Sequence, residues 1–153
     1  MEKVPLPHPW PVFLLKFMLL AEGIMALIPG LLLIGDPSGK VIQFPEGALE
    51  QSPFANYLIP GFLLTLFMGV LPLFTCYALW KKPDNAFLQH INPFPKRHWA
   101  WTAALVCGSA LVIWILVQIT MVPYFFLQPA LLSWGLITLL LCLLPKVKAL
   151  YQI

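Results

Sequence analysis

Four continuous apolar runs divide the chain, separated by short polar or proline-rich stretches. The first runs from Val12 to Ile34 and is interrupted at Lys16 and Glu22. The second runs from Leu58 to Trp80 and the third from Trp99 to Met121. The fourth, Gln128 to Leu144, is shorter and is closed by Pro145. None alternates polar and apolar residues with the period of two that a membrane-barrel strand shows. Runs of about 20 apolar residues match a helix that crosses about 30 Å of hydrocarbon. Open strands are excluded there, because lipid cannot satisfy the hydrogen bonds of a sheet edge. The pattern predicts an all-α fold, a four-transmembrane-helix bundle in a single domain over residues 1–153, with spans at about 12–34, 58–80, 99–121 and 128–144.

The connecting segments differ in kind. Gly35 to Tyr57 carries the turn signal Asp36-Pro37-Ser38-Gly39 and a stretch, Pro45 to Glu50, that suits a short surface helix. Phe44, Leu49 and Phe54 would pack it down onto the helices, giving a partly ordered external loop. Ser52 followed by Pro53 is an alternative start for the second helix, as a cap with proline at its first position. Lys81 to His98 is basic, proline-rich and expected to be irregular. Val122 to Leu127 is a tight turn. Leu27-Ile28-Pro29-Gly30 recurs as Leu58-Ile59-Pro60-Gly61, an echo that an apolar chain produces readily by coincidence. Both copies fall in the same leaflet, where a proline frees backbone groups and permits a kink.

Composition strengthens the membrane reading. Hydrophobic residues make up 60% of the chain and charged residues 10%, against about a quarter charged in soluble domains. The net charge of +3 is spread out and gives no nucleic-acid footprint. Orientation follows from Lys and Arg. Lys3, Lys81, Lys82, Lys96, Arg97, Lys146 and Lys148 share one side of a four-span arrangement, and Lys40 alone falls on the other. Both termini are therefore expected in the cytoplasm of a multi-pass cell-membrane protein. Trp10, Trp80, Trp99 and Trp101 mark the same boundary, and Lys16 can snorkel back to it. The first run carries two charges and no A-x-A cleavage site, so it reads as a retained span rather than a signal peptide.

Candidate chemistry is sparse. Cys76, Cys107 and Cys142 lie inside apolar runs and form no C-x-x-C, so they read as small buried hydrophobes. His8, His90 and His98 do not have a metal-ligand spacing, and neither a metal nor a cofactor is expected. No P-loop, nucleotide fingerprint, zinc-protease motif or serine elbow is present, so the chain is not expected to be an enzyme. Glu22 is the exception. It lies near the bilayer midplane, where a carboxylate costs several kcal/mol unless it is neutralised or solvated. A neutral Glu22 would donate a hydrogen bond to a backbone carbonyl or to Ser109; Gly69, Gly108, Gly135 and Thr138 count to the same depth. The alternative is a proton- or cation-binding group in a polar cavity. A second constellation lies outward, where Trp114 and Gln118 share a helix face. With Gln128, Asn56 and Tyr57 they either line a pocket beneath the external loop or tie loop backbone to helix ends.

Several pieces in order resemble a family of small, functionally uncharacterised bacterial four-helix membrane proteins. These are Asp36-Pro37-Ser38-Gly39, Ser52-Pro53-Phe54, Leu58-Ile59-Pro60-Gly61, Trp114 to Ile119 and Leu127-Gln128-Pro129. The resemblance covers most of residues 20–142, implies no activity, and departs at the longer segment 83–96. Leu20-Ala21-Glu22 is separately similar to the acidic site of small multidrug-resistance transporters, which also have four helices but shorter loops. Two functions stand out. The first is a non-catalytic membrane protein that binds a small ligand or lipid, or serves as an accessory subunit. The second is a proton-coupled small-molecule transporter using Glu22. An enzyme acting on a lipid is a distant third. The partners expected are the lipid bilayer, a small molecule or lipid, and a second copy or another membrane protein, but no nucleic acid.

Overall fold

The computed structural model describes residues 9–153; Lys3 and His8 lie outside them. The chain forms α1 (Trp10–Gly35), α2 (Leu58–Lys81), the short α3 (Ala86–His90), α4 (Trp99–Met121), α5 (Leu127–Leu143) and a final turn α6 (Pro145–Leu150). Three of these, α1, α2 and α4, are long and apolar enough to cross a membrane, and α5 is a shorter apolar helix of 17 residues. The four apolar runs thus become helices close to the expected bounds. α2 starts at Leu58 and not at Pro53: Asn56 Oδ1 accepts from Leu58 N–H, while the Ser52 hydroxyl turns back to Leu49 O. Pro145 ends α5 by holding Leu144 extended, then opens α6 at its first position.

α1 packs against α2, and α4 against α5, as two hairpins. α2 also meets α4, and α1 meets α5. Glycines set the closest approaches. A Cβ on Gly61 would lie 3.2 Å from Gly30 O, and one on Gly69 would lie 3.1 Å from Leu27 Cα. The repeated Pro-Gly pairs therefore meet across the first hairpin. In the second hairpin Gly108 and Gly135 face each other's carbonyls, at 3.3 and 3.2 Å from the added Cβ. Small residues of this kind let helix backbones pack closely. Pro72 has no N–H and its ring displaces the carbonyl one turn earlier. The preceding segment, Leu64–Val70, widens into a π-helical turn, and Leu71 N–H reaches back to Leu66 O.

Polarity runs inside-out through the middle of the bundle. Glu22, Thr75, Gln128 and Thr138 are buried, while Phe13, Phe62, Ile113 and Leu140 are well exposed on α1, α2, α4 and α5. Water would penalise such a surface.

Two expectations are corrected and one is refined. Pro45 to Glu50 forms successive turns rather than a helix, because Gly47 takes a φ of 78° that breaks any helical path. The segment 81–98 is irregular, as expected, apart from the single turn α3, and it is pinned by hydrogen bonds. Asn85 caps α3 by accepting from Leu88 N–H, and Asn92 and Gln89 both donate to Arg97 O. Trp99 and Trp101 are buried and do not form part of an exposed belt. Their indole N–H groups donate to Pro83 O and Cys142 O, under cover of that segment and of the C-terminal residues. Trp10 and Trp80 are exposed at this end, as expected.

The C-terminal residues close the same end. Tyr151 is buried against α1, α2 and α5, and its hydroxyl donates to Leu79 O at 2.8 Å. Lys82 caps Leu150 O, Arg97 caps Lys148 O, and His98 N–H donates to Tyr151 O. His98 Nδ1 accepts from Ala100 N–H and so caps α4. That bond needs a neutral imidazole. Burial and then the neighbouring Lys82 both hold the His98 pKa below its usual value.

Candidate functional site

Glu22 sits on the inward face of α1, 6% exposed. The adjacent Gly23 is pressed against Gly69 and Leu73 of α2. Both carboxyl oxygens are sealed from solvent and neither has a hydrogen-bond partner. The expected bond to Ser109 is not formed. The reason is helical phase: Cys107 is fully buried on the inward face of α4, and two residues turn a helix by about 200°, which carries Ser109 away from that face. Ser109 is half-buried on another face of α4. Cys107 Sγ lies 3.4 Å from Thr75 Oγ1, so a thiol and a hydroxyl accompany the carboxyl in the interior. Thr138 is buried but is spent on its own helix, donating to Trp134 O. Lys16 does not approach Glu22. Its ammonium lies 5.9 Å from the Trp80 ring, at the end where the other cations gather.

The second site is a groove of about 520 Å³ between α2 and α4, roofed by the 36–57 loop. Leu64, Phe67 and Met68 form one wall, and Ala110, Ile113, Trp114, Val117 and Gln118 form the other. The α4 wall follows from spacing: positions three, four and seven apart share a face. From Ala110 to Val122 the groove is about 18 Å long at 1.5 Å per residue. Phe44, Leu49, Phe54 and Tyr57 roof its outer end.

That roof is held rigidly. Asp36 accepts from Ser38 N–H, the Ser38 hydroxyl and Val41 N–H, and these bonds, the hydroxyl's first, hold its carboxyl below the usual range. Tyr57 N–H donates to Pro37 O, closing the loop at its base. The Tyr57 ring stacks on Phe44, with centroids 4.8 Å apart. Burial raises the Tyr57 phenol above its usual pKa.

Of the predicted outer residues, the fold brings Trp114, Gln118 and Tyr57 together on this groove. Gln118 Oε1 is buried there with no partner. Asn56 lies elsewhere, on a separate depression within the 36–57 loop. Gln128 is fully buried, and its Oε1 accepts from Phe125 N–H at 3.4 Å. It pins the 122–126 turn and does not line the groove. Met68 and Phe67, the residues opposite Trp114, were not singled out from the sequence. Their signal is weak, since they sit among apolar neighbours in α2 and only tertiary pairing selects the facing pair. Thr75 gives no signal at the level of Glu22 either, because it lies six residues, about 9 Å, along α2 from Gly69, the position that counts to that level.

Among the described residues no group of three or more His, Cys, Asp or Glu side chains comes together to hold a metal ion. No protein-family model, curated protein or solved structure matches the chain.

Proposed function

We propose that this chain is a four-span membrane protein, with both termini cytoplasmic, that binds a small apolar molecule or lipid chain in the groove between α2 and α4. The span count rests on α5 joining the three longer helices: it is antiparallel to α4 and its outward side chains are equally apolar. Orientation rests on the cations at the α3 end, against Lys40 at the other.

The groove carries the functional reading. It is long, narrow and apolar, and among the described residues its one buried polar atom without a partner is Gln118 Oε1, near the outer end. An unpartnered buried acceptor costs roughly 1–3 kcal/mol. A ligand with a hydroxyl or N–H head and an apolar tail removes that cost and fills the space. Pockets of about 300–1,000 Å³ are the usual size for such ligands. Among the described residues no nucleophile paired with a base lines the groove, which favours binding over catalysis.

The test is photolabelling of the purified protein with a diazirine-bearing long-chain alcohol. Labelling is expected on α2 and α4 between residues 64–68 and 110–118. Val117→Trp fills the groove from an exposed position and should reduce labelling at least tenfold. Labelling of Val117→Trp equal to wild type would exclude the groove as the site.

A second reading is favoured by one observation. Glu22 is buried with both oxygens unpartnered, so it adds nothing to packing that a neutral residue would not. Intramembrane acids of this kind commonly serve proton or ion transfer. In this reading Glu22→Gln folds normally and loses any pH dependence of ligand binding or flux. Retained pH dependence in that variant would remove the reading.

A further inference from the structure

We infer that the α3 end of the molecule is a docking surface for anionic phospholipid headgroups. The inference rests on the membrane reading above and concerns the opposite end from the groove. α3 and the residues that follow it are fixed. Gln89 points inward, its Nε2 donating to Arg97 O and its Oε1 accepting from Trp99 N–H. Asn92 is locked between Arg97 O and the Thr102 hydroxyl. Phe87 and Ile91 lie two positions either side of Gln89, which places them about 200° from it and on one common face. They are 70% and 58% exposed, and Trp80 at the end of α2 is 69% exposed. A rigid segment that presents a bare apolar face has the form of an interfacial element, lying in the membrane surface with that face among acyl chains.

Charge identifies the lipid. From Lys81 onward the chain has six cationic side chains, Lys81, Lys82, Lys96, Arg97, Lys146 and Lys148, and a single acid, Asp84. The fold gathers them from three separate segments. Arg97 reaches Lys148 O, Lys82 reaches Leu150 O, and Ile153 N–H donates to Lys96 O. Gathered cations beside an exposed apolar face suit a leaflet that offers phosphates and acyl chains together. A free anion would use the cations and leave Phe87 and Ile91 unexplained.

The test reconstitutes the full chain in phosphatidylcholine vesicles with a trace of spin-labelled phosphatidylglycerol or spin-labelled phosphatidylcholine. The immobilised fraction of each probe is measured by electron paramagnetic resonance. Phosphatidylglycerol is expected to be preferred several-fold, less so at high salt. Lys96→Gln with Lys146→Gln removes two exposed cations and should lower the preference. Phe87→Ser with Ile91→Ser should lower it without changing the net charge. Equal immobilisation of both probes by the wild type would overturn the proposal. So would displacement of the anionic probe by inorganic phosphate beyond the effect of chloride at equal ionic strength, which would assign the cations to a free anion. The phosphatidylcholine probe also checks the underlying reading. No immobilisation of it at all would show that the chain is not inserted, whereas immobilisation without headgroup preference overturns the docking surface alone.

Discussion

Glu22 and Gln118 are each buried polar groups without partners, but their surroundings differ. Gln118 opens onto a groove that an external molecule can enter. Glu22 is enclosed within the bundle and forms no bond. A structural anchor would repay its burial through a hydrogen bond, and removing it would then cost about 1–2 kcal/mol in a membrane bundle. That repayment is absent here. Glu22→Leu is therefore expected to leave the thermal unfolding midpoint in detergent unchanged or raised at neutral pH, because an apolar side chain of similar size removes an unpaired polar group. A fall of several degrees would show that the carboxyl is bonded in the folded state. The burial of Glu22 was legible from its depth in an apolar run, but its neighbours were not. Ser109 counts to the right level and fails on helical phase, whereas Cys107 has the right phase and carries no polar signal in the sequence.

Among the elements, the first hairpin depends most on particular residues. The echo of Leu-Ile-Pro-Gly in α1 and α2, dismissible as coincidence in an apolar chain, places a glycine from each helix at the same close approach, Gly61 against Gly30 O and Gly30 against Thr65. Gly30 faces the backbone of Thr65 in the π-helical turn, and an added Cβ would lie 2.9 Å from Thr65 N. Backbone cannot yield there without reopening the turn that Pro72 imposes. Gly30→Ala should destabilise the protein by about 1–3 kcal/mol, the usual cost of overpacking. Gly35, at the end of the same helix, has open space around it and provides the control. Gly35→Ala should be close to neutral in the same thermal unfolding assay; an equal loss in both variants would show that glycine acts through the unfolded chain and not through this contact. Helix bounds were readable because hydrophobic runs and proline stops are local signals. The pinning of segment 81–98 was not, because Gln89 and Asn92 find their partners at Arg97 and Trp99 only once α4 is in place. The same holds for Trp99 and Trp101, which sequence position puts at a boundary and tertiary packing buries.

At the scale of the whole molecule, apolar side chains cover the outside, polar ones lie within, and the two ends differ. One end is knit shut by the C-terminal residues and collects cations. The other carries a rigid loop over a lateral groove. On the proposed four-span reading, a ligand would enter this groove sideways from the bilayer, beneath Phe44 and Tyr57. Native mass spectrometry of the protein released from detergent micelles tests that account most directly. Wild type is predicted to retain one apolar adduct per chain of constant mass, bearing a hydroxyl or N–H group, and Val117→Trp is predicted to lose it while remaining folded. Wild type released free of any adduct, or Val117→Trp retaining the same adduct, would contradict the account.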